Sequence, residues 1–75
     1  MAKYEHKKSK MVIDAAPYTN GLEDGFIDDK PFIYATLGKI KQEVKEWDYI
    51  AELQNGSKYI FCKGAIEKNY KKVGN

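Results

Sequence analysis

Trp47-Asp48-Tyr49-Ile50-Ala51-Glu52-Leu53 is followed by Gln54-Asn55-Gly56-Ser57, and then by Lys58-Tyr59-Ile60-Phe61-Cys62-Lys63. Two runs rich in aromatic and β-branched residues flank an Asn-Gly pair, the preferred centre of a two-residue type I′ hairpin. That loop predicts a register. Leu53 faces Lys58, Ala51 faces Ile60 and Tyr49 faces Cys62; on the other side Glu52 faces Tyr59, Ile50 faces Phe61 and Asp48 faces Lys63. The opposite charges of Asp48 and Lys63 favour this pairing. Both faces carry apolar groups, so the hairpin is expected to be sandwiched, with one face on the core and the other partly covered by the termini.

Upstream, residues 10–18 read as a strand in which Met11, Ile13 and Ala15 alternate with Val12, Asp14 and Ala16. Pro17 lacks an N–H and ends that strand or places it at an edge. Residues 19–31 read as the longest irregular stretch, with turn pairs at Asn20-Gly21 and Asp24-Gly25 and with Phe26 and Ile27 as anchors. Residues 32–37 have strong β-propensity, Gly38 marks a bulge or tight turn, and residues 39–45 continue in period two. Leu37, Ile40 and Val44 also fit helical spacing over 36–47, and the strand reading is favoured. Downstream, residues 64–70 read as a short helix that docks Ile66 and Tyr70 on the sheet. Val73 lies in a tail that could form a final strand.

The expected fold is mostly β with one short C-terminal helix: about five antiparallel strands folded as a sandwich or open barrel. Residues 1–9 are expected to be a flexible lysine-rich arm and 10–75 a single small domain. The expected core is Val12, Ile13, Ile33, Leu37, Trp47, Tyr49, Ile50, Ile60, Phe61 and Ile66.

With 75 residues the chain holds one thin core and no deep enclosed site. Self-association is one way for such a chain to gain burial, so a homo-oligomer is open. The net charge is +2, and all 13 basic residues are lysines. Arg is the favoured residue for bidentate phosphate and guanine recognition, so its absence argues against sequence-specific nucleic-acid binding. A single cysteine forms no intrachain disulfide, which fits synthesis in a cytoplasm. No apolar run reaches the length of a membrane span, and the N-terminus lacks the apolar core of a signal peptide.

Catalytic chemistry finds little purchase. His6 falls in the expected arm, where a general base would lack fixed geometry. Cys62 is expected to be a buried structural thiol, although Lys63 and the following helix start are close. Neither Ser9 nor Ser57 sits in a nucleophile elbow. Glu23, Asp24, Asp28 and Asp29 do not match a calcium loop and read as solvated carboxylates. No enzyme activity, cofactor or metal is expected. Six tyrosines on a small domain suit a protein interface, with Tyr18, Tyr34, Tyr59 and Tyr70 as candidates. Tyrosines beside lysines could alternatively form a stacking platform for single strands, with Lys7, Lys8, Lys10, Lys71 and Lys72 as the basic patch and Lys3 and Lys68 close in sequence.

Val44-Lys45-Glu46-Trp47-Asp48-Tyr49-Ile50 resembles the v-x-p-G-D-[WY]-I segment of a family of small tailed-phage proteins, with Trp47 standing where that family has Gly. Gly56 to Val73 is similar to the E-x-Y-x-[CV]-x-x-x-x-F-x-x-x-Y-x-x-V stretch that follows, with Ile66 in place of Phe. Met11 to Tyr18 is similar to v-v-I-e-A-x-q-[YW]. The resemblance spans most of residues 10–73. It implies a phage or prophage protein without known catalysis and brings no catalytic residues; small β-domains of host-adsorption devices are a possible structural cousin. The expected function is a non-enzymatic protein that recognises another phage or host protein, synthesised in the host cytoplasm and able to join the virion. The alternative is a non-specific single-stranded nucleic-acid binder. No membrane insertion is expected.

Overall fold

The computed structural model describes residues 1–74; Asn75, the last residue of the expected domain, lies outside the described residues. Among the described residues, eight strands form two antiparallel sheets. The larger contains β1 (Ala2–His6), β2 (Val12–Pro17), β6 (Asp48–Glu52), β7 (Lys58–Cys62) and β8 (Tyr70–Gly74), in the order β7-β6-β2-β1-β8. The smaller contains β3 (Gly25–Ile27), β4 (Lys30–Tyr34) and β5 (Ile40–Glu43), in the order β3-β4-β5. A four-residue helical turn, α1 (Ala35–Gly38), joins β4 to β5, and α2 (Lys63–Asn69) joins β7 to β8. The architecture is mostly β, as expected, with a short C-terminal helix and, among the described residues, no closed barrel. Among the described residues no helix is long and apolar enough to cross a membrane.

The large sheet is the middle layer. Side chains alternate along its strands. Ile13, Ala15 and Ala51 pack with Ile66 of α2 and with Tyr4, Tyr49, Phe61 and Tyr70 on one face. Ile50 and Ile60 point the other way and meet Ile33 and Val44 of the small sheet, with Tyr18 and Leu22 at the margin. Ile33 and Ile50 are fully buried, a contribution of about 1.5–3 kcal/mol each. The β6–β7 hairpin is thus covered on both faces. Its covers are α2 and the small sheet, and the terminal strands β1 and β8 lie in the same layer beyond β2.

The hairpin register is one residue off the expected one. Asp48 pairs with Cys62, Tyr49 with Phe61, Ile50 with Ile60, Ala51 with Tyr59 and Glu52 with Lys58. The cause is the loop. Leu53 N–H donates to Ser57 O at 2.9 Å and Gly56 N–H to Leu53 O at 2.9 Å. Gly56 adopts a φ of 86° while Asn55 stays at negative φ. This is a three-residue loop with a type I turn and a left-handed glycine, not the two-residue loop in which both central residues need positive φ. The Asn55 side chain contributes by accepting the Ser57 N–H at 2.9 Å. In consequence Asp48 does not meet Lys63.

Other expectations are corrected by the same packing. Residues 1–9 are not an arm: β1 lies between β2 and β8, and the Lys7–Lys10 loop is closed by His6 N–H to Met11 O at 2.8 Å. Residues 19–31 include β3 and the start of β4, joined by Asp28 and Asp29 at φ of 51° and 65°. The strand expected over 32–37 stops at Tyr34, because Thr36 and Leu37 are left-handed (φ 53° and 56°). This holds Leu37 outside the core, 60% exposed. Trp47 is also outside it, and Val12, Tyr49, Ile60 and Phe61 are half-buried. Cys62 is exposed rather than buried.

The Phe32 ring lies across Gly25 on its neighbouring strand; a Cβ at Gly25 would stand 2.8 Å from that ring. Gly25→Ala should therefore destabilise the domain by about 1–3 kcal/mol through overpacking. Gly64, in α2, has open space around it, so Gly64→Ala should be neutral or stabilise by up to about 1 kcal/mol. Urea titration of both variants checks this; equal stabilities would contradict the packing of Phe32 on Gly25.

Candidate binding surface

Two of the four carboxylates read as solvated, Glu23 and Asp24, are held by partners, while Asp28 and Asp29 are exposed as expected. Tyr18 donates its hydroxyl to Glu23 Oε1 at 2.6 Å, and the Gly21 N–H reaches both Glu23 oxygens at 3.1 Å. The tyrosine bond, followed by the backbone bond, holds the Glu23 carboxyl below its usual range; the same bond raises the Tyr18 hydroxyl. Asp24 Oδ2 accepts the Tyr34 N–H at 2.7 Å and Oδ1 accepts Lys58 Nζ at 3.2 Å. Asp24 thereby ties the small sheet to β7. Its carboxyl is lowered chiefly by the Tyr34 N–H and secondarily by Lys58, against desolvation.

A turn next to this loop presents Trp47. Asp48 N–H donates to Lys45 O at 3.0 Å, while Lys45 N–H donates to Asp48 Oδ2, also at 3.0 Å. The two bonds lock Lys45–Asp48 as a reverse turn with Glu46 and Trp47 at its tip. The indole is 72% exposed. Tyr18 N–H to Asp48 O and Val44 N–H to Pro31 O, both 2.9 Å, clamp the turn to the ends of β2 and β4. Two hollows adjoin there and share Tyr18 and Glu46. One, of about 430 Å³, is walled by Tyr18, Phe26, Pro31 and Val44 with Asp29 and Glu46 at its rim. The other, of about 220 Å³, is walled by Pro17, Tyr18, Trp47 and Tyr49 with Glu46, Asp48 and Lys63 around it. Together they form an aromatic groove with an acidic rim.

The four candidate tyrosines do not share one surface. Tyr18 is half-buried and lines the groove. Tyr34 stands on the outer face of the small sheet, edge-on to Phe32, with Lys41 Nζ 5.9 Å from its ring centre. Tyr59 pairs with Ala51 on the α2 side of the large sheet. Tyr70 packs against His6 and Phe61. Sequence reasoning missed the groove because it assigned Trp47 to the core, read Pro17 as a strand end and Phe26 as a loop anchor, and gave Pro31 no role.

The lysines gather at one end of the large sheet, with Lys71 and Lys72 on its opposite faces. Lys7 N–H donates to Asn69 O at 2.9 Å, which sets the Lys7–Lys10 loop against the end of α2 beside Lys68. Lys71 and Lys72 follow on β8, opposite Glu5 and Tyr4. All six are exposed, and one ion pair, Lys71 to Glu5 at 3.8 Å, joins them to a carboxylate. His6 is half-buried there; its Nδ1 accepts the N–H groups of Lys8 and Ser9 at 3.1 Å each. That orients the loop and is not the freely solvated imidazole expected. Lys3 pairs with Asp14 at 3.0 Å. This basic end lies at the opposite end of β2 from the groove, about 20 Å away at the usual rise per residue.

Among the described residues no three His, Cys, Asp or Glu side chains converge to hold a metal ion. No protein-family model, curated protein or solved structure matches this chain.

The native pKa values of Glu23 and Asp24 lie below their unfolded values. Their contribution to stability is therefore complete above the unfolded carboxylate range, about pH 4, and is lost as pH falls through the lowered native values. Glu23→Gln combined with Asp24→Asn should lower Tm at pH 7 and flatten the fall of Tm below about pH 4. Thermal melts across pH check this; an acid limb as steep as wild type would contradict it.

Proposed function

We propose that this chain is a small non-enzymatic binding protein that recognises another protein through the groove around Trp47. The observation that carries this reading is Trp47 itself. A 75-residue chain with one tryptophan places it on a locked turn, 72% exposed, beside Phe26 at 58%. A domain this small needs its apolar surface for stability, and Trp and Tyr are enriched where proteins meet and at binding hot spots. The half-buried Tyr18 and Tyr49 give the groove fixed walls, which lowers the entropic cost of binding.

The resemblance of residues 10–73 to small tailed-phage proteins supports a phage or prophage setting, with a phage or host protein as partner. Host adsorption or a minor virion role fits that setting, as does synthesis in the host cytoplasm. Affinity capture from infected cells should recover a defined protein with wild type. Trp47→Ala should weaken its binding by roughly 30-fold, the factor for a hot spot of about 2 kcal/mol. Because the side chain is exposed, its removal should change stability by no more than about 0.5 kcal/mol. Equal capture by the variant would contradict the reading.

A second reading is favoured by the gathering of Lys7, Lys8, Lys10, Lys68, Lys71 and Lys72 at one end of the large sheet: non-specific binding of single-stranded nucleic acid at the basic end. Each neutralised phosphate then contributes about −0.7 to the slope of log K against log salt. Titration of an oligonucleotide should give a slope between about −2 and −4, reduced by Lys8→Glu and Lys72→Glu. No binding at low salt removes this reading.

A further inference from the structure

The lining of the groove restricts what can occupy it. An added β-strand is held by ladder bonds to free backbone groups, and the donors of the residues that flank the turn tip and wall the hollows beside it are in large part absent or already engaged. Pro17 and Pro31 have no N–H. Those of Tyr18, Val44, Lys45 and Asp48 are given to Asp48 O, Pro31 O, Asp48 Oδ2 and Lys45 O respectively. The N–H groups of Glu46 and Trp47 have no partner among the described residues, but two consecutive donors at a turn tip do not make a ladder, so an extended occupant is held chiefly by side-chain contacts. A polyproline II segment meets that condition. It has no internal hydrogen bonds, keeps its own backbone hydrated, is ordered before it binds, and docks on aromatic-lined grooves. The apolar walls are of that kind, with Tyr18, Trp47, Phe26 and Tyr49 beside the two prolines. The Trp47 indole N–H can donate to a ligand carbonyl.

Charge narrows the ligand further. Asp29, Glu46 and Asp48 stand around the groove against the single cation Lys63, and complementary charge selects among partners. We propose that the groove binds a proline-rich segment of a partner protein in the polyproline II conformation, with Lys or Arg beside its prolines. This rests on the groove being the protein-binding surface argued above and names the ligand that surface takes.

A random peptide library selected on the full chain, and counter-selected on Trp47→Ala, tests it. The expected sequences carry at least a pair of prolines with a neighbouring Lys or Arg. Trp47 is the sole tryptophan, so its fluorescence reports binding of the consensus peptide directly. Replacing the prolines with Ala, replacing the peptide's basic residue with Glu, or introducing Glu46→Lys in the protein should each weaken binding at least about tenfold, with the Tm of Glu46→Lys unchanged. Selected sequences without proline, or binding indifferent to Pro→Ala, would overturn the proposal. If capture of a partner from infected cells still depends on Trp47 while no proline-rich peptide is selected, the ligand class falls and the groove reading stands. If Trp47→Ala affects neither, both fall.

Discussion

Gly56 in the left-handed region closes a three-residue loop, and the register this enforces decides which side chain of β6 and β7 meets which layer. Ile60 lies beside Ile50 and faces Ile33 and Val44 of the small sheet. Phe61 lies beside Tyr49 and joins Tyr70, 6.0 Å away, under α2. A two-residue loop would shift β7 by one position and exchange its faces. Phe61 and Tyr59 would then crowd the small sheet, while Lys58, Ile60 and Cys62 would face the helix. The middle layer can be buried on both sides because each strand of this hairpin is apolar in both phases. Everything outside it is arranged to supply two covers.

Strands β2, β4, β5, β6 and β7, the C-terminal helix and the antiparallel character were legible because period two and the Asn-Gly turn are local signals, whereas β1 and β3 were not. The register was not. Asn55-Gly56 is compatible with two loop lengths, and the choice between them rests on tertiary burial of Ile60 against Phe61. The N-terminal segment was misread because its lysines were weighed above its pattern. Ala2, Tyr4 and His6 alternate with Lys3 and Glu5, and those two charges find cross-strand partners in Asp14 and Lys71. Leu37 was assigned to the core on propensity, but its left-handed backbone turns it outward.

The candidate site was legible only in part. Tyr18 was identified from composition, yet the groove is made by residues with separate apparent roles: a strand-ending proline, a loop anchor and a presumed core tryptophan. The turn at Lys45–Asp48 depends on Asp48 accepting the Lys45 N–H, a local bond that a strand reading of both flanks hides. Asp24, in the preceding loop, was read as solvated because its partners are not adjacent in sequence. Asp24 reaches Lys58 across 34 positions, which no local pattern reports. The structure thus separates an aromatic, acid-rimmed end from a basic end along the length of β2, a division that a net charge of +2 conceals.

The groove is defined by an indole held in water by a locked turn, next to fixed aromatic walls. Acrylamide quenching of Trp47 fluorescence in the native protein, over a range of protein concentrations, tests that claim most directly. The account predicts quenching close to that of the urea-unfolded chain, with emission at the water-exposed wavelength at every concentration. A native tryptophan shielded from quencher, with blue-shifted emission at the lowest concentration, would place Trp47 in the core and contradict it.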